Sequence, residues 1–452
     1  MSTVPPSATP AASATPDLRA ITVVGIGADG WDGLPENSRR ALRSAEVLIG
    51  GPRQLDLLPG AECPGERIAW PSPLRPAVPG LLAAHAGRRI AVLASGDPLF
   101  YGIGRTLAET VGADRLHVLP HPSSVSYACA RLGWPMEAVE TVSLVARPLD
   151  ALTAALHDGR RLLVLSEGAD TPARVAELLR GKGYGRSRLR VLERLGSTRE
   201  RILDTTADAW PALRPPAGPA QGDTPQGPAP DTATGTSPAG PPAVDPLNIV
   251  ALDCVRSPDA LRLGAAPGLP DEAYENDGQL TKRYVRAATL AALAPAPGEL
   301  LWDVGGGSGS IGIEWMRTHR SCRAIAVEKA PERAARIDRN AAALGVPALR
   351  VVTGPAPEAL AGLPTPDAVF IGGGLTVPGL LDACWDALPV GGRLVANTVT
   401  LESEALLADR YRRHGGELVR LAVAQAVPVG GFTGWRQAMP VTQWSVTKSG
   451  GP

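Results

Sequence analysis

The chain has 452 residues, more than one hydrophobic core usually holds, so two or three domains are expected. Apolar residues make up 44% and charged residues 20%, as in soluble globular proteins, and 45 basic residues balance 45 acidic ones. No long run of lysine or arginine occurs, which argues against nucleic acid and anionic membranes as partners. The 5 cysteines and 6 histidines lack the spacing of a zinc site or a disulfide framework, so no metal is predicted.

The N-terminal residues are rich in serine, threonine, proline and alanine, without the basic start and apolar core of a signal peptide. Residues 1–18 are therefore predicted to form a disordered tail. No stretch of the sequence is long and apolar enough to span a bilayer, and a cytoplasmic location is expected.

The first folded region alternates strand and helix patterns. Apolar runs predict strands at 20–26, 89–94, 116–120 and 161–167, and helical spacing follows at 171–180. This alternation predicts an α/β fold with a parallel or mixed sheet covered by helices. The first three strands end in turn-forming residues, and the ends of strands are where α/β sheets bind ligands.

Three stretches after these strands resemble the signatures of the tetrapyrrole methylases of cobalamin synthesis: GIGADG at 25–30, LASGDPLFYGIG at 93–104 and HPSSVSYACARLGW at 121–134. The resemblance implies that S-adenosylmethionine (SAM) binds in a folded conformation between two α/β subdomains. It also implies that the pocket is lined by Gly25, Gly27, Gly96, Asp97, Pro98, Ser123 and Ser124. One departure occurs at Ala28-Asp29-Gly30, where many members carry Pro-Gly.

Two of the polar residues in these loops have a second interpretation. Asp97 could cap the helix that follows it, a common role for aspartate at such turns. His121 could act as a base or could support its neighbours, and the supporting role is favoured. Methyl transfer to an electron-rich ring carbon requires mainly that the donor and the acceptor are aligned.

Residues 211–246 contain 11 prolines and almost no large apolar side chain, so they are expected to be extended and mobile. An apolar strand pattern follows directly at 247–252. The family resemblance implies that this strand completes the first domain's sheet by pairing with 190–193 or with 200–203. The proline-rich stretch is then an insertion inside a first domain at 19–256, and its deletion is expected to be tolerated.

A glycine-rich turn organises the second region. The strand 300–304 ends near Asp303 and leads through Gly305, Gly307 and Gly309 into a helix, so the backbone can approach a nucleotide-like ligand closely. Glu328 ends the next strand, where a carboxylate can reach ribose hydroxyls. A dinucleotide site or a plain tight turn also fits the glycines alone.

The order D-x-G-x-G-x-G together with Glu328 resembles the first two motifs of the Rossmann-like SAM methyltransferases. By this resemblance Gly354, Ala356 and Pro357 lie beside the adenine. Gly372 and Gly373, which follow the strand predicted at 367–371, would form the floor of the active site.

Helical spacing at 279–293 predicts a helix with Thr281 as its N-cap. Thr281, Lys282 and Arg286 either form a solvated basic face or face an acidic substrate. The pattern D-x-x-x-T-K-x-x-x-R at 277–286 resembles a segment of the decarboxylating precorrin methyltransferases, although Tyr284 stands where glutamate is common. Residues 430–436 could form a loop over a planar anion or an ordinary hairpin.

The combination of a first domain at 19–256 and a second at 269–447 resembles the bifunctional methyltransferases of aerobic cobalamin synthesis. This implies a precorrin-6 tetrapyrrole as substrate and SAM as methyl donor. The first half would methylate C5; the second would methylate C15 and decarboxylate the C12 acetate, giving precorrin-8.

We hypothesise that arginines, including Arg147 and Arg286, hold the substrate's peripheral carboxylates by paired hydrogen bonds. No catalytic residue is assigned, and a homo-oligomer is expected. Two alternatives remain open: one half acts on another tetrapyrrole, or one half is a catalytically silent SAM-binding module.

Overall fold

A computed structural model describes residues 20–212 and 243–450. The predicted tail and almost all of the predicted insertion lie outside the described residues. The described chain forms two compact units. The first comprises residues up to 145, 161–173 and 188–253; the second comprises 146–160, 174–187 and the residues from 254 onward.

The first unit contains two five-stranded sheets. Its strands are β1 (Ile21–Ile26), β2 (Val47–Gly50), β3 (Glu66–Ala69), β4 (Ile90–Ser95), β5 (Leu116–Leu119), β6 (Glu140–Ser143), β7 (Arg161–Leu165), β8 (Arg188–Glu193), β9 (Arg201–Thr206) and β10 (Asn248–Asp253). The helices in this part of the chain are α1 (Glu36–Ser44), α2 (Pro52–Asp56), α3 (Leu74–Ala84), α4 (Gly104–Val111), α5 (Ser124–Leu132) and α6 (Thr171–Gly181).

The first sheet has the order β3-β2-β4-β1-β5, and all of its strand pairs are parallel. Side chains alternate across it: Val24 and Ile26 pack in one apolar cluster, and Ile21 and Val23 pack in another on the opposite face. Because both faces are covered, the strands read as continuous apolar runs in the sequence.

The second sheet has the order β6-β7-β10-β8-β9 and is mixed. Strand β10 lies antiparallel between β7 and β8, with Asn248 opposite Glu193 and Ile249 opposite Leu165. The predicted pairing of this strand with residues 190–193 is therefore confirmed. The alternative partner, β9, pairs with β8 instead.

The second unit is built on a seven-stranded sheet and a separate hairpin. Its strands are β11 (Leu300–Val304), β12 (Arg323–Glu328), β13 (Arg350–Thr353), β14 (Ala368–Ile371), β15 (Arg393–Thr398), β16 (Glu417–Leu421), β17 (Ala424–Val429), β18 (Phe432–Gln437) and β19 (Val441–Thr447). Its helices are α7 (Arg283–Leu293), α8 (Ser310–Thr318), α9 (Pro331–Ala343), α10 (Leu380–Ala387) and α11 (Leu401–His414).

The large sheet has the order β13-β12-β11-β14-β15-β19-β16. Its first five strands are parallel, and β19 runs antiparallel to β15 and β16. Leu301 faces a core with Trp315 and Ile337, whereas Trp302 faces a second core with Trp444. Strand order reverses at β11, which places a crevice at its carboxyl end.

One predicted helix begins later than expected. Helix α7 starts at Arg283, its N-cap is Lys282, and that residue makes no side-chain capping hydrogen bond. The prediction of Thr281 as N-cap is wrong because the Thr281 carbonyl accepts a hydrogen bond from Arg286 in the turn before the helix. Among the residues described, none of the helices combines the length and apolar character that crossing a membrane requires.

Candidate functional sites

Three loops meet at the carboxyl edge of the first sheet, after β1, β4 and β5. The amide of Gly96 donates to the carbonyl of Ile26 at 3.1 Å, and the amide of His121 lies 3.4 Å from the carbonyl of Gly96. A Cβ added at Gly25 would lie 2.0 Å from the Gly96 carbonyl oxygen. Glycine at position 25 therefore allows the loops after β1 and β4 to touch.

A cleft of about 400 Å³ opens beside these loops. Of the residues that the resemblance implies for SAM binding, four line this cleft: Gly27, Gly96, Ser123 and Ser124. The predicted residues that do not line it are Gly25, Asp97 and Pro98. Asp97 lines an adjoining depression of about 360 Å³ together with Ser123.

The polar residues of these loops also hold the local backbone. Ser123 is the N-cap of α5, and its Oγ accepts from the amide of Ser126 at 3.1 Å. Asp97 Oδ1 accepts from the amide of Leu99 at 2.9 Å, whereas α4 begins only at Gly104. Asp97 thus stabilises the turn after β4, and the helix-capping interpretation is wrong.

His121 belongs to a polar cluster with Asp29 and Tyr127, and it lines the adjoining depression. Its Nε2 lies 3.1 Å from Asp29 Oδ2 and 3.4 Å from the Tyr127 hydroxyl, and only 6% of the residue is exposed. Tyr127 lines the cleft. The pKa of its phenol is raised, mainly by burial and to a smaller extent by the nearby Asp29 carboxylate. This enclosure favours the supporting role for His121. It also gives Asp29, the point of departure from the family pattern, a defined partner.

Sequence reasoning missed Arg53 and Tyr127, which both line this cleft. Arg53 had a detectable signal: Gly51-Pro52 follows the apolar strand β2, and proline just after a strand end is typical of a helix start. A helix start at the carboxyl edge of a parallel sheet points toward the ligand site. Tyr127 lies inside a helical pattern and carries no such signal.

The second site is formed around the loop between β11 and α8. Gly305, Gly307 and Gly309 have φ values of 75°, 59° and 76°, a region that favours glycine. A Cβ at Gly305 would lie 2.9 Å from the amide nitrogen of Gly373. The glycines thus hold this loop close to the loop after β14.

Two buried carboxylates support this loop. Asp303 Oδ2 accepts from the amide of Gly312 at 2.9 Å, and Glu328 accepts from the amides of Gly307 at 2.9 Å and Ala330 at 3.0 Å. Burial, with a smaller contribution from the charge of Glu328, raises the pKa of Asp303 to about 7. Each Glu328 oxygen that holds an amide keeps a lone pair for a further donor, such as a ribose hydroxyl.

The remaining predicted residues lie around the same strand ends. The amide of Gly354 donates to the carbonyl of Glu328 at 3.0 Å, and Ala356 and Pro357 are half-buried in the turn that follows. The amide of Gly372 donates to the carbonyl of Val304 at 2.9 Å, which places the glycine pair 372–373 beside the loop after β11.

Residues 268–281, here called the approach segment, are fixed by buried charge. Arg286 is fully buried; its Nε donates to Glu314 at 2.5 Å, and its other nitrogens donate to Asp271 and to two backbone carbonyls. At the far end of the segment, Asp277 pairs with two arginines of α9, Arg333 and Arg336. Ser308 Oγ donates to the carbonyl of Gln279 at 2.7 Å and joins the segment to the glycine loop.

This network contradicts the prediction that Arg286 binds substrate carboxylates. A guanidinium with 0% exposure and partners on every nitrogen has no surface to offer a ligand. Lys282 is 63% exposed and 4.0 Å from Asp271, and Thr281 is half-buried. Arg147 is exposed two residues beyond Val145, which lines the first cleft. Substrate binding by these three residues stays a prediction.

Residues 430–436 lie in a β-hairpin. Strands β17 and β18 pair antiparallel, with Val429 opposite Phe432, and the hairpin alternative is confirmed. The hairpin exposes Phe432 at 85% and Trp435 at 78%.

Two family models match the chain, one in each half. Residues 20–210 match the tetrapyrrole (corrin/porphyrin) methylases, and residues 272–448 match the precorrin methyltransferase domain. A precorrin-6Y C(5,15)-methyltransferase [decarboxylating] of a Sinorhizobium species is 47% identical over 428 residues, covering 95% of this chain and 96% of the relative. The protein of that description from Mycobacterium tuberculosis (strain ATCC 25618 / H37Rv) is 47% identical over 429 residues, covering 95% and 100%.

A solved structure is similar to part of the chain. The C-terminal domain of precorrin-6Y C5,15-methyltransferase from Rhodobacter capsulatus is 50% identical, covers 41% of this chain and 100% of that domain, and has a TM-score of 0.40.

The folds, the glycine-lined strand ends and these matches define the chain as a methyltransferase with two dissimilar α/β parts. The 47% identity over 95% of the chain then shows the particular family. The chain belongs to the precorrin-6Y C(5,15)-methyltransferases [decarboxylating].

Proposed function

We propose that the chain transfers two methyl groups from SAM to a reduced precorrin-6, at C5 and C15, and removes the carboxyl group of the C12 acetate to give precorrin-8. The observation that carries this proposal is the 47% identity to precorrin-6Y C(5,15)-methyltransferases over 95% of the chain. The glycine loops of both sites lie within the residues that the two family models match.

The two activities are divided between the halves. In our proposal residues 19–256 form the half that methylates C5, and residues 269–447 form the half that methylates C15 and decarboxylates. The tetrapyrrole methylase match at 20–210 and the precorrin methyltransferase match at 272–448 support this division. The pairing of β10 with β7 and β8 supports a first half that extends beyond residue 210.

The residues of both sites suit SAM. In the second site, Glu328 would accept hydrogen bonds from the ribose hydroxyls, and the positive-φ glycines leave room for the backbone to approach the ligand. In the first site, Gly27, Gly96, Ser123 and Ser124 would surround the ligand. When bound, SAM supplies an electrophilic methyl group on a sulfonium centre.

The chemistry balances without a further reagent. An electron pair of a ring carbon forms the new C–CH₃ bond as the S–CH₃ bond breaks, and S-adenosylhomocysteine leaves as a neutral thioether. The macrocycle gains the positive charge of the sulfonium and becomes neutral again by releasing a proton to solvent. In the decarboxylation, the C–CO₂ bond breaks and its electron pair enters the conjugated macrocycle, which then takes up a proton. The protein's contribution is to align donor and acceptor and to exclude water.

An assembly of identical chains and a cytoplasmic location complete the proposal. The hairpin β17–β18 supports the first, because Val429, Phe432 and Trp435 leave apolar surface exposed that a second copy could cover.

The test is anaerobic turnover of reduced precorrin-6 with methyl-labelled SAM, in which methyl groups at C5 and C15 and released carbon dioxide are counted. We expect two methyl groups and one carbon dioxide from the intact chain. The Gly96→Ala variant, in which the new Cβ lies 2.9 Å from the Ser123 Cα, is expected to lose only C5 methylation. The Gly305→Ala variant is expected to lose C15 methylation and carbon dioxide release.

Glycines at which an added Cβ meets no atom within 4 Å provide controls: Gly80→Ala in α3 and Gly431→Ala in the hairpin should retain all three events. One methyl group without carbon dioxide from the intact chain would make the second half a silent module. A product methylated at other positions would show that one half acts on another tetrapyrrole.

A further inference from the structure

The cleft of the first unit contains one formally charged side chain. Of the described residues that line it, Arg53 is the charged one, and the others are glycine, apolar, aromatic or neutral polar residues. Within the part of the chain that the structure describes, no aspartate or glutamate lines this cleft. A solitary cation in an otherwise neutral cleft is suited to a ligand that carries a negative group.

The backbone around Arg53 fixes its position. Helix α2 begins directly after β2, and the amide of Gly51 donates to Gln54 Oε1 at 2.6 Å, which closes the first turn of the helix. Arg53 Nη2 donates to Ser95 Oγ at 2.9 Å, and Gln54 Nε2 approaches the same hydroxyl at 3.0 Å. Ser95 ends β4, so the guanidinium is anchored beside the loop that begins at Gly96.

Among the described residues, no carboxylate forms an ion pair with Arg53. In the described part of the chain, no carboxylate oxygen lies within the 4.0 Å that defines an ion pair with its guanidinium. The neighbouring Arg194, by contrast, pairs with Asp245. Partial burial and the charge of Arg194 lower the pKa of Arg53, and Asp245 opposes that shift.

These features together describe a prepared anion site. A guanidinium has five N–H donors in a planar fork, and Ser95 occupies one of them. A carboxylate that accepted two of the others would form the strong bidentate pair. Ser95 could not compete with it, because a neutral hydroxyl is the weaker acceptor.

We propose that Arg53 binds a carboxylate of the ligand that occupies the first cleft. This inference rests on the proposed function, in which two ligands with carboxylates enter that cleft. One is the macrocycle, with its peripheral acetate and propionate groups, and the other is SAM, with the carboxylate of its methionine part. The recognition chemistry is the same for both.

The test uses the full-length Arg53→Gln and Arg53→Lys variants. Binding of S-adenosylhomocysteine is measured by titration calorimetry. Binding of reduced precorrin-6 is measured anaerobically by absorbance in the presence of saturating S-adenosylhomocysteine, which cannot donate a methyl group. The matched control is Arg105→Gln, since Arg105 is exposed on α4, pairs with Glu109 and does not line the cleft.

We expect Arg53→Gln to lower the affinity for one of the two ligands by about 10- to 100-fold, the usual effect of losing a charge-assisted hydrogen-bonded pair. Arg53→Lys should fall between this variant and the parent protein, because an ammonium keeps the charge and loses the fork. The Arg105→Gln protein should bind both ligands as the parent does. Unchanged thermal unfolding of the Arg53 variants would show that the cleft itself is intact.

Each outcome decides the inference. Weaker precorrin-6 binding with unchanged S-adenosylhomocysteine binding assigns Arg53 to a macrocycle carboxylate, and the converse assigns it to the SAM carboxylate. Unchanged binding of both ligands overturns the inference. If the parent chain binds both ligands without methylating C5, the proposed function fails, and the Arg53 comparison still stands on binding alone.

Discussion

The two sites of this chain have similar frameworks and opposite distributions of charge. Both lie at the carboxyl ends of parallel strands, where glycines bring loops together. Of the described residues that line the first cleft, Arg53 alone is charged, and no described carboxylate forms an ion pair with it. The second site is supported by buried carboxylates, and its nearby arginine, Arg286, is fully paired inside the protein. The charge of Arg53 is therefore not compensated by a carboxylate of the described residues, whereas the charge of Arg286 stabilises the fold of the second unit.

The largest expected effect is at Glu314, whose carboxylate holds the approach segment. It accepts hydrogen bonds from Gly268 N at 2.6 Å, Leu269 N at 3.0 Å, Tyr274 OH at 2.9 Å and Arg286 Nε at 2.5 Å. Glu314→Ala should lower the free energy of unfolding by about 3–5 kcal/mol, because Arg286 would be left buried without its main partner. Denaturant unfolding followed by tryptophan fluorescence measures this loss.

An exposed ion pair in the same unit is the control for this prediction. Asp409→Ala removes the partner of Arg412 and Arg413 on the surface of α11 and should cost at most about 1 kcal/mol. Equal losses at positions 314 and 409 would contradict the structural role of the buried network. A raised KM of Arg286→Ala for the tetrapyrrole, with unchanged stability, would restore the substrate-binding hypothesis.

The second prediction concerns pH and the buried Asp303. Because the pKa of Asp303 is about 7 in the folded chain and its ordinary value is 3.8, the folded state holds a proton that the unfolded state releases. Its contribution to stability is therefore full below pH 3.8 and is lost as pH rises toward 7. The loss amounts to about 4 kcal/mol at most.

The Asp303→Asn variant tests this dependence, since its amide oxygen can still accept from Gly312. The variant should gain stability relative to the parent chain between pH 4 and pH 7, as measured by denaturant unfolding at each pH. A constant difference between the two proteins across that range would rule out titration of Asp303. Among the described residues, no carboxyl group lines the first cleft, so substitutions in that cleft should leave this pH dependence as it is in the parent chain.

A third prediction distinguishes the sites by ligand affinity. Glu328→Gln leaves one of the two amides held by Glu328 without an acceptor and weakens hydrogen bonding to ribose hydroxyls. We expect the affinity of one S-adenosylhomocysteine site to fall by about 10- to 100-fold. Titration calorimetry on the intact chain should show the other site unchanged. Weakening of both sites, or of neither, would refute the assignment of Glu328 to the second site.

The smallest expected effect compares a helix cap from each unit. Ser123 caps α5 at the first cleft, and Thr400 caps α11 in the second unit. Replacing either by alanine should lower stability by about 1 kcal/mol. Ser123→Ala should also weaken binding of S-adenosylhomocysteine, because Ser123 lines the cleft. If Thr400→Ala weakened binding of S-adenosylhomocysteine to the same extent, the weaker binding by Ser123→Ala would come from lost stability alone.

The sequence predicted most strands and the loops that follow them. The runs at 20–26, 89–94, 116–120 and 300–304 correspond to β1, β4, β5 and β11, since strands buried on both faces read as continuous apolar segments. The helical spacing of 279–293 extends four residues before the observed start of α7 at Arg283, and the predicted N-cap, Thr281, lies one residue before the observed N-cap, Lys282. There the backbone is not helical, because the buried Arg286 donates hydrogen bonds to the carbonyls of Leu269 and Thr281.

What the sequence determined by itself was local: the order of strands and helices, and the glycines where two loops must touch or φ must be positive. What the tertiary structure decided was the role of each charge. Arg286 and Arg53 each stand near the start of a helix, and nothing adjacent in the sequence distinguishes them. Arg286 pairs with Glu314, 28 residues away, whereas Arg53 donates to the Ser95 hydroxyl and has no carboxylate partner among the described residues. An arginine's role depends on which side chains packing brings to its guanidinium, and those neighbours come from distant parts of the chain.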